Sequence, residues 1–227
     1  MKMLSTFTRS LMDFFYPSFC LNCNERVFGE QKWICKTCFE AIEWIDTRQA
    51  CQSCGKPRRD AVSIHCRACQ NRPIYLAPIH SCFYPEGPAY ALHEYLRVYE
   101  CEKVAKLFAS LMMLRWKKLD WPYPEAVVPI PDTRLMTYVI KKQPSYLIGK
   151  ALSQLFSVPF RPVITTVERG SSFGYRPKLL AKGKCTDQKV LLISDVVQES
   201  ESLRLARECL FSLFPKTIYT LGLFDRR

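Results

Sequence analysis

CLNC at residues 20–23, CKTC at 35–38, CQSC at 51–54 and CRAC at 66–69 are four copies of one pattern, two cysteines with two residues between them. Eleven residues separate the pairs of the first block, and eleven separate the pairs of the second. The second block repeats the first at an offset of 31 residues, so Cys20 to Cys69 is an internal duplication. A C-x2-C turn brings two thiolates onto one metal ion at about 2.3 Å, and two such turns complete a tetrahedron. Gly55, directly after Cys54, suits the left-handed backbone such turns often need. Asn24 stands in the equivalent place and tolerates the same conformation better than most residues.

The spacing predicts two zinc ions, one on Cys20, Cys23, Cys35 and Cys38, the other on Cys51, Cys54, Cys66 and Cys69. A crossed arrangement sharing pairs between the blocks is the alternative, because pairing cannot be read from spacing. Four thiolates leave a metal no open position, so both sites read as structural, with metal binding supplying folding energy. His65 adjoins Cys66 and reads as a solvent-facing side chain rather than a fifth ligand.

Working outward, 227 residues suffice for one α/β domain and a small accessory module. Hydrophobic residues at 48% and charged residues at 24% are the proportions of a folded globular protein. Twelve cysteines without a secretion signal point to metal rather than disulfides and to a cytoplasmic setting. Cys82, Cys101, Cys185 and Cys209 lack partners at metal spacing and read as small apolar residues. The net charge of +12 favours polyanionic partners, nucleic acid among them.

Residues 1–19 form the first division, an amphipathic segment with Leu4, Phe7, Leu11, Phe14 and Phe15 at helical spacing. Pro17 ends that helix. Arg9 and Asp13 interrupt the apolar stretch and no small-residue cleavage site follows, so a signal peptide is not expected. No apolar run has the length to span a bilayer. Residues 20–72 form the second division, the double zinc ribbon, and residues 71–78, with Pro73 and Pro78, read as a connector.

Residues 79–227 alternate strand and helix signals. Strands are expected at Ile79–Tyr84, Glu125–Ile130, Phe160–Val167, Lys189–Ser194 and Thr217–Leu223. Helices are expected at Ala89–Tyr99, Glu102–Lys117, Ser145–Phe156 and Glu201–Phe214. This order predicts an α/β fold with a mostly parallel sheet covered on both faces, and ligands at the carboxyl ends of its strands. Pro129–Arg134 and Ser194–Ser202 occupy those ends. Trp33, Trp44, Trp116 and Trp121 read as core or interface residues.

The four cysteine pairs, the Phe83–Tyr84 strand, the Tyr95–Tyr99 region, Val127–Pro131 (VVPIP) and Val190–Val197 (VLLISDVV), in this order, resemble the ComF family of competence proteins. The resemblance implies a zinc ribbon joined to a type I phosphoribosyltransferase-like domain and a role in uptake of single-stranded DNA during natural transformation. Single-stranded DNA is the partner it implies, with competence or DNA-processing proteins as possible others. An active member of this fold would bind phosphoribosyl pyrophosphate and magnesium, with Asp195 as the catalytic-site acid on the ribose hydroxyls.

The resemblance fails where the donor would bind. The transferase signature is an apolar strand, two acids, two apolar residues, then Thr-Thr-Gly, a small residue and Thr. Its loop wraps a phosphate with backbone amides at a helix N-terminus. Here the first acid is Ser194, Asp195 survives, and Val196 and Val197 fit. Gln198, Glu199 and Ser200 then replace Thr-Thr-Gly, and Glu201 precedes Ser202. A carboxylate about 5 Å from a phosphate charge costs about 3 kcal/mol at an effective dielectric near 20. The family's Arg-Gly-Phe-Asn-Gln segment is replaced by Lys141, Lys142, Gln143, Pro144 and Ser145. The stretch between Glu168 and Gln188 is expected to be a flexible hood with Arg169, Arg176, Lys178, Lys182 and Lys184 as polyanion-binding groups. Two readings follow: a scaffold with a degenerate donor site, or an altered transferase still working through Asp195.

Overall fold

The computed structural model describes residues 17–27, 33–48, 50–56, 63–70, 78–131, 143–168, 175–179, 185–197 and 201–226. The expected N-terminal helix falls on residues 1–16, outside the described residues. Ser18–Phe19, placed with that segment by the sequence, is instead strand β1 and pairs antiparallel with β2, Arg26–Val27. Pro17 directly precedes β1. Two short helices complete the duplicated module, α1 at Lys36–Glu40 and α2 at Arg67–Gln70.

The larger part is built on four strands: β3 (Ile79–Phe83), β4 (Ala126–Pro129), β7 (Lys189–Val197) and β8 (Thr217–Asp225). They lie in the order β3-β8-β7-β4, and all pair in parallel. The central strands β7 and β8 are mostly buried and carry unbroken apolar runs such as Val190–Ile193 and Leu221–Phe224, as a sheet covered on both faces requires. Helices α3 (Gly87–Tyr99), α4 (Glu102–Lys118) and α5 (Pro144–Phe156) supply Leu92, Leu96, Phe108, Met112, Leu152 and Phe156 to the core on one face. Helix α6, Glu201–Phe211, turns Leu203, Ala206 and Leu210 to the other.

The region between α5 and β7 departs from expectation. The sequence reads Phe160–Val167 as one strand, but Phe160 makes only an isolated parallel bridge to Val127. The chain then leaves the sheet, and β5 (Ile164–Glu168) pairs antiparallel with β6 (Tyr175–Leu179). The expected flexible hood thus contains a strand. Pro177 hid it, because proline in an apolar-polar run argues against a strand, yet a two-stranded ribbon has a free edge that tolerates it.

The two parts share one core. Cys20, Ile34, Cys38 and Ile42 of the first zinc block lie in the same buried cluster as Phe83, Phe108 and Phe224. The linker between the blocks runs beside β3: Trp44 bridges Phe83 antiparallel, and Ile45 N–H donates to the Cys82 carbonyl at 2.9 Å. Such pairing covers an edge strand that would otherwise present open hydrogen-bonding groups. The second block holds the same strand, with Ile79 N–H donating to the Ser53 carbonyl at 2.7 Å. His80 Nε2 lies 3.0 Å from the Gln52 carbonyl. Arg115, on the buried face of α4, donates from Nη2 to the carbonyls of Ile45 and Cys82 at 2.6 and 2.8 Å.

Candidate metal centres and the end of the parallel sheet

The duplication is visible bond by bond. In the first block, Cys20 N–H donates to Glu25, Leu21 N–H to Trp33, Asn24 N–H to Cys20 and Phe39 N–H to Cys35. In the second, Cys51 N–H donates to Lys56, Gln52 N–H to Ile64, Gly55 N–H to Cys51 and Gln70 N–H to Cys66. Each bond has its counterpart 31 residues on. Asn24 and Gly55 both take the left-handed backbone, at φ of 60° and 71°. Equal spacing of equal residues has produced equal turns.

The thiols gather within blocks, not between them. Cys20, Cys23, Cys35 and Cys38 form one set, and Cys51, Cys54, Cys66 and Cys69 the other, with all sulfurs of a set within 4.8 Å of one another. A tetrahedron with about 2.3 Å arms has sulfurs about 3.8 Å apart. The Cys23–Cys35 and Cys54–Cys66 sulfurs are 3.7 and 3.6 Å apart. Backbone N–H groups also prepare one thiolate in each set. Burial pushes the Cys20 thiol up, but N–H groups of Cys23, Cys35 and Asn22 outweigh it and bring its pKa to about 6. Cys51 reaches about 6 in the same way, through the N–H groups of Cys66, Cys54 and Ser53. Four sulfurs in this arrangement fit zinc and leave no position for a reacting water. His65 takes no part: its Nδ1 is 2.9 Å from Ser53 Oγ.

The second place of interest is the carboxyl end of β7. Pairing with β8 is continuous to Ser194–Gly222, resumes at Val196–Phe224 and passes over Asp195. Side-chain alternation breaks at the same point: Ile193 and Val196 face the α3–α5 side, Leu192 and Val197 the α6 side. Ser194 Oγ donates to the Val196 carbonyl at 2.8 Å, and Asp195 Oδ1 accepts from Val196 N–H at 3.0 Å. Asp195 Oδ2 lies 3.5 Å from Nε2 of His93, a residue on the buried stripe of α3. The Asp195 side chain is only 16% exposed. Its burial pushes the carboxyl up, but the His93 imidazole and the N–H groups of Asp195 and Val196 offset this, and its pKa falls below the usual carboxylate value. Phe224 stands edge-on to the His93 ring at 5.1 Å and closes the pair off on that side.

Gln198, Glu199 and Ser200 fall outside the described residues, while Glu201 and Ser202 open α6. Of the basic hood residues, Arg169, Lys182 and Lys184 are outside the described residues, Arg176 is on β6, and Lys178 on β6 is exposed. At the neighbouring strand end, Ile130 N–H donates to Ile193, and Ser145 Oγ donates to the Ile130 carbonyl at 2.6 Å. This ties the start of α5 to the end of β4, with Gln143 buried beside it. Lys141 and Lys142 lie outside the described residues. Trp116 and Trp121 pack edge-on with Tyr219 close by, Trp33 is half-buried against the same core, and Trp44 meets Phe83, Arg115 and Lys118.

His93 and Arg115 are missing from the sequence-derived site. Both carried a signal, a polar residue on an apolar helical stripe: Ala89-Leu92-His93-Leu96 in α3 and Val104-Phe108-Met112-Arg115 in α4. The partner that each would meet is distant in sequence, so the signal had no second half.

Residues 11–70 match the family model of the double zinc ribbon domain. No curated protein matches the chain. Similar solved structures include a purine phosphoribosyltransferase from Pyrococcus horikoshii Ot3, 14% identical over 60% of this chain and 79% of that one, with a TM-score of 0.34. The hypoxanthine phosphoribosyltransferase of Trypanosoma cruzi in complex with the product IMP is 24% identical over 60% and 68%, with a TM-score of 0.33. The hypoxanthine-guanine phosphoribosyltransferase of L. donovani is 12% identical over 53% and 69%, with a TM-score of 0.34. The N-terminal part of this chain is a double zinc ribbon. It is joined to an α/β body with a parallel central sheet.

Proposed function

We propose that this chain is a ComF-like, zinc-carrying scaffold of the cytoplasm that binds single-stranded DNA in DNA uptake and no longer binds a phosphoribosyl donor. The observation that carries the reading is the state of Asp195. Its two carboxylate oxygens are directed at protein groups, His93 Nε2 at 3.5 Å and Val196 N–H at 3.0 Å. Ser194, where the family signature has its first acid, spends its hydroxyl proton on the Val196 carbonyl. A ribose would have to displace these partners, and the loop that follows brings Glu199 and Glu201 instead of Thr-Thr-Gly. The saturated four-thiolate sets favour a structural metal over a hydrolytic one. Among the described residues no helix is long and apolar enough to cross a membrane.

The DNA half of the reading is tested by anisotropy with a labelled oligothymidylate. Binding should weaken by at least roughly tenfold between about 50 and 200 mM salt, as release of several counterions requires. Charge reversal at Arg176, Lys178 and Lys182 together should weaken it and flatten the salt slope. Absence of binding by the parent chain at low salt would remove DNA as the partner.

A further inference from the structure

We propose that the cleft between the inter-block linker and the last turn of α4 is a phosphate-binding site. The cleft has a volume of about 480 Å³ and is lined by Trp44, Asp46, Thr47, Arg48, Arg115 and Lys118 with one further linker residue. Arg115 forms its floor. The residue is 2% exposed, its Nη2 is held by two carbonyls, and its Nε is buried with no hydrogen-bond partner. Carbonyl dipoles orient a guanidinium but do not neutralise it, and burying a cation without a counter-ion is costly.

The acid in the cleft is already engaged. Asp46 Oδ1 accepts from the Arg48 backbone N–H at 2.9 Å and from Arg48 Nε at 3.2 Å, and Oδ2 accepts from Nη2 at 3.1 Å. Among the described residues, no carboxylate comes within ion-pair distance of Arg115 or Lys118. Lys118 is exposed, with Nζ 5.4 Å above the Trp44 ring, at the wall of the same cleft. Arg48, Arg115 and Lys118 against Asp46 leave the cleft with a positive excess. Burial pulls the Arg115 pKa down, against smaller opposing effects of Cys82 and the Asp46 carboxylate.

An oxyanion entering here would meet a guanidinium, an ammonium and the flat indole of Trp44. Arg115 and Lys118 both sit over the Trp44 ring, so the indole holds two cations in place for a phosphate group. A nucleic-acid backbone and a small phosphate compound share this chemistry. The site stands independently of the DNA reading, since inorganic phosphate chemistry alone suffices for it.

The test compares Lys118→Gln with Lys150→Gln, an equal charge loss at an exposed position of α5 outside the cleft. Pyrophosphate binding is measured by calorimetry, and oligothymidylate binding by anisotropy. Lys118→Gln should weaken binding by roughly tenfold, as loss of one charge-assisted hydrogen bond implies, and Lys150→Gln should do little. A loss that includes the oligonucleotide assigns the cleft to a nucleic-acid backbone. One confined to pyrophosphate assigns it to a small phosphate compound. Equal behaviour of the two variants, or no binding of either ligand by the parent chain, would overturn the proposal.

Discussion

His93 and Asp195 face each other across the space between α3 and the end of β7, with Phe224 against the imidazole. Because the Asp195 carboxyl has a pKa below its ordinary value in the folded chain, it stabilises the fold while ionised. That contribution is present above the unfolded pKa, about 3.9, and is lost as pH falls through the folded pKa. Asp195→Asn should therefore cost about 1–3 kcal/mol at neutral pH. Its gap from the parent chain, measured by urea unfolding across pH, should close below about pH 4. A constant gap would mean that the charge contributes nothing. Asp195 was legible in the sequence because a strand signature surrounds it. His93 was not, since nothing local links residue 93 to residue 195.

Where apolar periodicity is clean, the sequence marks the elements. Helices α3, α4 and α5 and strands β3, β4, β7 and β8 all fall on stretches picked out by apolar spacing, within a few residues at each end. The hairpin of β5 and β6 was read poorly, because its pairing is decided by a neighbour strand and not by its own pattern. The close contact of β8 with the bent end of β7 was equally invisible. A Cβ added to Gly222 would lie 2.2 Å from Val197 Cγ2, and 3.3 Å from Ser81 Oγ. Gly222→Ala should destabilise the chain by about 2 kcal/mol, a fall in Tm of roughly 4–8 °C. Adding Val197→Ala should recover part of that loss, a coupling a double-mutant cycle would detect. At Gly149 the nearest atom is the ring edge of Phe160 at 3.1 Å, so Gly149→Ala should cost less.

At the scale of the molecule, the ribbon and the sheet are not separate beads. The duplicated spacing made the metal sites legible, but the joint is long-range packing that no motif announces. An aromatic path runs from Trp44 of the ribbon linker through Phe83 and Phe224 to His93. Cys20 and Cys38 are at once thiols of the first set and members of the shared core. Elemental analysis of the purified chain should find two zinc ions, and Cys38→Ala should lose the first. Chelation should also loosen the joint and free Arg115 from its carbonyls. Loss of about 3 kcal/mol there would lower the Tm of the remaining α/β unit by roughly 6–12 °C. An unchanged melting transition after complete metal removal would show that the two parts are energetically independent.

We propose that the end of β7 no longer receives a sugar-phosphate donor, and calorimetric titration with phosphoribosyl pyrophosphate and magnesium decides the matter. Lys118→Gln serves as the host chain, which weakens binding at the ribbon joint, and Asp195→Ala in the same host sets the background. The host chain should release no heat beyond that background. Replacing Gln198, Glu199, Ser200 and Glu201 with Thr, Thr, Gly and Ala removes two carboxylates, each worth about 3 kcal/mol against a phosphate, and should bring back a measurable affinity that depends on Asp195. Micromolar binding by the unaltered loop, abolished by Asp195→Ala, would contradict the account and make the protein a transferase.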